Sequence, residues 1–168
     1  MNIKEYHYKI KKFNTINSQY ESQNSNIAII VPRFNSFINQ NLLFGALDTL
    51  ERIGKIKKKN IKIIKVPGAY EIPIIANILS QTKNYQGIIA LGTIIKGETM
   101  HFEKISNAII QKLLEISIKT STPIGLGILI LKNIDQAINR SGLKFGNKGS
   151  EAAMTILEMI NIIQDIQK

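Results

Sequence analysis

Four short apolar runs constrain this chain more than anything else in it: IAIIVP at 27–32, IKIIKVP at 61–67, YQGIIALGTII at 85–95 and IGLGILIL at 124–131. A strand with one wet face alternates apolar and polar residues, whereas a nearly continuous apolar strand is buried on both faces, as in the middle of a parallel sheet. The intervening segments have helical periodicity. After the first run, Leu42, Leu43, Ala46, Leu47 and Leu50 fall on one stripe, with Ser36 as the expected N-cap and Gly54 and a lysine run as the stop. Gly68 leads into a second helix with Pro73 in its first turn, where a missing N–H costs nothing, ending near Leu79. A third helix runs from about Phe102 to Ile118, with Ile105, Ile109, Leu113 and Ile116 on one face. Two more close the chain, from Ile134 to Arg140 and from about Gly149 to Ile166.

Strands joined by helices need crossover connections, which are nearly always right-handed and leave the strands parallel with helices on both faces. The expectation is a three-layer αβα sandwich of flavodoxin-like type, built on a four-stranded, mainly parallel sheet. The chain of 168 residues suits one such domain, placed at 26–168. Residues 1–25 are rich in Asn, Gln, Ser and Lys and read as a flexible N-terminal arm. Ile, Tyr and Phe between Ile3 and Phe13 leave open whether that arm frays or adds to a partner's sheet edge.

Composition removes several functions. There is no cysteine, which excludes disulfides, zinc-thiolate sites and cysteine nucleophiles and points to a reducing, cytoplasmic setting. No apolar run approaches the ~18 residues of a membrane helix, and no secretory signal is expected. The net charge of +10 comes from lysines scattered from Lys4 to Lys168. The run Lys57-Lys58-Lys59 has no interleaved aromatics for base stacking, so no nucleic-acid partner is expected. Attraction of anionic substrates is the milder consequence.

An open α/β sheet binds ligands outside the carboxyl ends of its strands. Four unusual loops lie there: Pro32 to Asn35, Gly68 to Glu71, Thr93 to His101, and Leu131 to Asn133. His101 could move protons both ways near neutral pH, or simply cap or pack at a helix start. Glu98 and Thr99 follow Gly97 in a turn whose N–H groups and hydroxyl suit an anion, with the Glu98 backbone as the useful part. Arg140 and Lys148 are natural anion partners, or ordinary helix-end and loop charges. Phe34 is either a core ring or a platform for a flat heterocycle. Glu71 is either a helix-start carboxylate or an acceptor for ligand hydroxyls.

Other chemistries fit poorly. Gly125 and Gly127 imitate a dinucleotide fingerprint but lie inside a strand, and no P-loop occurs. Pro32-Arg33 and Thr93 stand where a response regulator needs carboxylates, and Arg33-Phe34-Asn35 does not supply the phosphate loop of a flavin site. No metal-ligand cluster is apparent, so no metal or cofactor is expected.

Four motifs in order, VPRFN, VPGAYEIP, ALGTIIKGETMHFE and IDQAINRSGLKFGNKGSEAA, resemble the lumazine synthases (6,7-dimethyl-8-ribityllumazine synthases) over about Ile27 to Met159. The resemblance implies a cofactor-free transferase of riboflavin biosynthesis. It would condense 5-amino-6-(D-ribitylamino)uracil with 3,4-dihydroxy-2-butanone 4-phosphate, releasing phosphate and water. By that similarity Phe34, Ala69, Tyr70, Glu71, Thr93, Ile94, Ile95 and Leu126 would hold the pyrimidine and its ribityl chain. Glu98, Thr99 and Arg140, assisted by Lys148, would hold the butanone phosphate, and His101 would act as general acid and base. Homo-oligomers are also implied: pentamers with sites between subunits, residues near Leu126 and either Arg140 or Lys148 reaching across, up to a 60-subunit icosahedral shell, and an association with riboflavin synthase. Two departures stand out. Leu126 occupies a position where the family often has phenylalanine, and Leu129 to Lys132 read LILK where threonines and an acid are more usual. They keep open a shell or riboflavin-binding role without catalysis.

Overall fold

Every one of the four apolar runs becomes a strand of a single sheet in the computed structural model, which describes residues 16, 19–97, 101–142, 144 and 146–168, residue 101 through its backbone alone. The strands are β1 (Ile27–Pro32), β2 (Ile61–Val66), β3 (Gly87–Ile95) and β4 (Ile124–Leu131), in the order β2-β1-β3-β4. All three pairings are parallel. Five described helices connect and cover them: α1 (Ser36–Arg52), α2 (Ile72–Gln81), α3 (His101–Thr120), α4 (Ile134–Arg140) and α5 (Lys148–Ile166). The flavodoxin-like three-layer expectation holds, with the sheet wholly parallel.

Successive side chains of a strand point to opposite faces, so each central strand feeds two cores. Ile27, Ile29 and Val31 of β1 join Ile89 and Leu91 of β3 against α1 and α5, where Leu42, Ala46, Leu50, Ile156 and Leu157 close the layer. Ala28, Ile30, Ile88 and Ala90 face the other way, onto Ile72 and Ala76 of α2 and Ile109 and Leu113 of α3. Small residues on this second face leave room for the isoleucines of α2 and α3. β1 is buried at all of its positions and β3 from Gly87 to Thr93, which is why these two runs lack polar residues until the sheet ends.

Boundaries follow local chemistry. Ser36 is not the N-cap of α1 but its first residue. Asn35 takes the cap position in the left-handed region (φ 58°, ψ 39°), which Asn tolerates better than most side chains. Pro73 sits in the first turn of α2 as expected. Asn133 caps α4 by accepting from the Gln136 N–H at 3.0 Å, and the Gln136 side chain accepts from the Lys132 N–H at 3.0 Å. Residues 19–25, at the end of the expected arm, are tied to the body. Ser22 donates its N–H to the Gly54 carbonyl at 2.9 Å, and Asn161 of α5 donates to the Gln19 carbonyl at 2.9 Å. None of the described helices is long and apolar enough to cross a membrane.

α1 and α5 cross closely. A Cβ on Gly149 would lie 1.9 Å from the Leu42 carbonyl oxygen, and one on Gly45 would meet the Asn147 side chain at 2.4 Å. Asn147 uses its oxygen to cap α5 at Gly149 and Ser150, and its amide donates to the carbonyls of Asn41 at 2.8 Å and Ser141 at 3.0 Å. The loop between α4 and α5 is thereby fastened to α1. Gly149→Ala is expected to lower unfolding free energy by about 3 kcal/mol in denaturant titration, because backbone must move aside. Gly97→Ala, with no described atom within 4 Å of the added methyl, should change it by less than about 0.5 kcal/mol.

Candidate functional site

Because all four strands run the same way, their carboxyl ends form one rim, and the loops that leave them meet there. The first loop is held open across two strands. Arg33 donates its N–H to the Val66 carbonyl at 2.8 Å and Phe34 donates to Pro67 at 3.1 Å, which carries the chain beyond β1 in register with β2. With its backbone so committed, Phe34 turns its ring outward and leaves it 71 % exposed. Of the two readings of this ring, the core position is excluded.

Two asparagines fix the same loop to β3. Asn35 donates through Nδ2 to the Thr93 carbonyl at 3.1 Å. Asn39, 1 % exposed, donates through Nδ2 to the carbonyls of Pro32 at 3.2 Å and Phe34 at 2.7 Å. Its Oδ1 accepts the Thr93 hydroxyl at 2.8 Å. Thr93 is therefore 4 % exposed with its hydroxyl proton directed inward. Asn35 is visible in the sequence only as the end of the first rim loop, and Asn39 does not stand out, although it lies among Ile38, Leu42 and Ala46 on the buried stripe of α1. A polar residue at such a position needs buried partners, and that was the available signal.

Beside Phe34, the turn Ala69–Glu71 precedes α2. Glu71 accepts the Gly68 N–H at 2.8 Å through one carboxylate oxygen, so the helix-start role is realised. Tyr70 is 71 % exposed and, with Glu71, borders a cleft of about 380 Å³ floored by Pro73, Ile74, Ala108 and Ile109. Ile94 and Ile95 are half-buried at the end of β3 and pack against opposite cores. Consecutive strand residues cannot turn both side chains to one ligand, so their contribution to a common site is backbone.

At the other side of the rim, Lys96 donates its N–H to the Leu131 carbonyl at 2.9 Å and joins the ends of β3 and β4. A cleft of about 570 Å³ opens next to this junction, lined by Ile130, Leu131, Gln136, Asn139 and Arg140. Arg140 ends α4, is exposed, and has no ion-pair partner among the described residues. The bridge between Ser141 and Asn147 brings Lys148 back beside it. Lys148 is paired with Glu151 at 2.7 Å. His101 is the first residue of α3, whose amino-terminal end faces this rim with the positive pole of its dipole. Glu98 and Thr99 lie outside the described residues.

The structure thus gathers Phe34, Ala69, Tyr70, Glu71, Thr93, Ile94 and Ile95 at the ends of β1 to β3, and Arg140 and Lys148 at the end of β4. Leu126 is not with them. It pairs with Ala90, three pairs before Thr93 and Leu129, which at ~3.3 Å per residue puts it roughly 10 Å below the rim. It is 37 % exposed, on the α2 and α3 face of the edge strand. No group of three or more His, Cys, Asp or Glu suited to a metal occurs among the described residues.

Fold and rim define a flavodoxin-like α/β protein with its candidate site among the loops that leave the strand ends. Its sequence matches the family of 6,7-dimethyl-8-ribityllumazine synthase over residues 24–164. A 6,7-dimethyl-8-ribityllumazine synthase of Buchnera aphidicola subsp. Baizongia pistaciae is 64% identical over 138 residues, 82% of this chain and 87% of that protein. The enzyme of the same name from Wigglesworthia glossinidia brevipalpis is 55% identical over 153 residues, 91% of this chain and 99% of its own. That of Yersinia pestis is 46% identical over 154 residues, 92% and 99% of the two chains. The chain belongs to the 6,7-dimethyl-8-ribityllumazine synthase family.

An outward ring makes little packing. Phe34→Ala should change unfolding free energy by less than about 0.5 kcal/mol, against the ~3–5 kcal/mol of a core phenylalanine. Glu71→Ala should lower it by about 1 kcal/mol through loss of the bond to Gly68. Denaturant titration of the two variants checks both.

Proposed function

We propose that this rim carries the lumazine synthase reaction, making the chain an enzyme of riboflavin biosynthesis. The observation that carries the reading is an outward aromatic ring and an arginine with no ion-pair partner among the described residues at opposite sides of one rim, on a chain of that family. The pyrimidine of 5-amino-6-(D-ribitylamino)uracil stacks on Phe34, and its polar edge and ribityl chain meet the backbone at Ala69, Ile94 and Ile95, the Tyr70 side chain and the free oxygen of Glu71. The phosphate of 3,4-dihydroxy-2-butanone 4-phosphate pairs with Arg140, which matches its geometry bidentately. Lys148 assists at the cost of its pairing with Glu151, and Glu98 and Thr99 supply backbone N–H groups and a hydroxyl.

The chemistry then needs two things from the protein. One is proximity: holding two substrates in reacting geometry removes up to ~7–11 kcal/mol of barrier in favourable cases. The other is proton transfer. The pyrimidine's amino group adds to the butanone carbonyl and loses water to form an imine, phosphate leaves, and ring closure expels a second water. His101 takes and returns protons along this path. Proximity carries much of the rate, so loss of His101 slows the enzyme without abolishing it.

Leu126 serves the site of a neighbouring subunit, since it lies below the rim of its own chain. Exposed Phe37 and Phe44 on α1 and Leu114 and Ile118 on α3 support burial against further copies. The working unit is a homo-oligomer, a pentamer or a 60-subunit shell of pentamers, in the cytoplasm and associated with riboflavin synthase.

In steady-state assays following lumazine absorbance, Arg140→Ala should raise KM for the butanone phosphate by about tenfold or more with a much smaller change for the pyrimidine, as a charge-assisted pair contributes about 1.5–3 kcal/mol. Equal losses for both substrates would move the phosphate site elsewhere. His101→Ala should lower kcat by about 10²-fold. Sedimentation of the wild-type protein should give a pentamer or larger, and an active monomer would contradict the shared site.

A further inference from the structure

We infer that Asn39 is a positioning residue for the pyrimidine, holding the Phe34 ring at the rim through its buried amide; this rests on the reading of Phe34 as the ring platform. A side chain that stacks on a ligand from an exposed loop has nothing of its own to hold it. Phe34 is in that situation, with its ring mostly in solvent. Its backbone, by contrast, is held on both sides. The Phe34 N–H is given to Pro67, and the Phe34 carbonyl accepts from Asn39 Nδ2 at 2.7 Å, the shortest of that asparagine's contacts.

The other bonds of Asn39 join this loop to the rest of the site. The second amide proton goes to the Pro32 carbonyl, the last residue of β1, and Oδ1 receives the Thr93 hydroxyl from β3. Both amide protons are therefore used, and no buried side-chain polar atom is left unpaired among the described residues. One side chain connects the ends of two neighbouring strands to the carbonyl of the platform residue. Asn35 adds a second tie from the same loop to the Thr93 carbonyl. The neighbours of position 39 on α1, Ile38, Leu42 and Ala46, are core residues, so apolar packing alone does not call for an amide there. The amide is needed by the loop.

The consequence is kinetic. Without the amide, the loop carbonyls of Pro32 and Phe34 lose their donors and the platform is in place for only a fraction of the time. Apparent affinity for a ligand that needs the platform falls by that fraction. Asn39→Ala should raise KM for the pyrimidine by about tenfold. KM for the butanone phosphate, bound at the far side of the rim, should stay within about twofold. In a Phe34→Ala background there is no ring left to place, and the same substitution should alter pyrimidine KM by less than about twofold.

Steady-state kinetics of the two single variants and the double variant, as the assembled protein, test this. Asn39→Asp is a second probe of the same shape that keeps an acceptor for Thr93 and sets an oxygen against the two carbonyls. It should give the same pattern if Asn39→Ala does not fold. Selective loss of pyrimidine affinity that vanishes without Phe34 supports the inference. If Phe34→Ala raises pyrimidine KM but Asn39 variants affect both substrates alike, or act additively with Phe34→Ala, the inference is overturned and the proposed reaction stands. Unchanged pyrimidine KM in Phe34→Ala overturns the reading of the platform and this inference with it.

Discussion

Burial of β1 and β3 on both faces is the constraint on which the rest of this structure depends. Each of these strands sends alternate side chains into two separate cores, so helices must cover both sides of the sheet. Helices on both sides require crossovers, and crossovers make the strands parallel. Parallel strands end together. Reactive groups cannot lie along two central strands buried on both faces, and the strand ends become the place where loops, polar side chains and a helix amino terminus meet.

The rim that results is asymmetric. Around β1, β2 and the start of the β3 loop, the backbone is heavily braced by Asn35, Asn39 and Glu71, and the exposed side chains include the rings of Phe34 and Tyr70 together with Arg33 and Lys96. Around β4 the bracing comes from Asn133, Gln136 and Asn147, and the exposed side chains include Arg140 and Lys132. The asparagines do the bracing because a side-chain amide both donates and accepts, which lets one residue serve a carbonyl and an N–H or hydroxyl at once.

Most of the fold was legible in the sequence. β1 and β4 have the limits of their apolar runs, because continuous apolar segments have no other way to be buried, and α4 has the limits that its flanking polar residues suggested. Helix ends were less legible. Ser36 has the right chemistry for a cap, but Asn35 takes the position because its amide is bound to Thr93, far away in sequence. The rim loops could be located, since each follows a strand, yet their internal ties could not. The partners of Asn39 and Asn147 come from segments that only the folded register brings near. Leu126 illustrates the same limit: its place in β4 was legible, but its depth below the rim follows from pairing with Ala90.

What links this geometry to a reaction is the claim that the two halves of the rim hold two different substrates for condensation. The most direct measurement mixes the purified, assembled protein with 5-amino-6-(D-ribitylamino)uracil and 3,4-dihydroxy-2-butanone 4-phosphate and follows lumazine absorbance and phosphate together. Both should rise in equal amounts, far above the uncatalysed rate, with no metal or cofactor added. Lumazine formed no faster than without protein, with the oligomer shown to be folded, would contradict it.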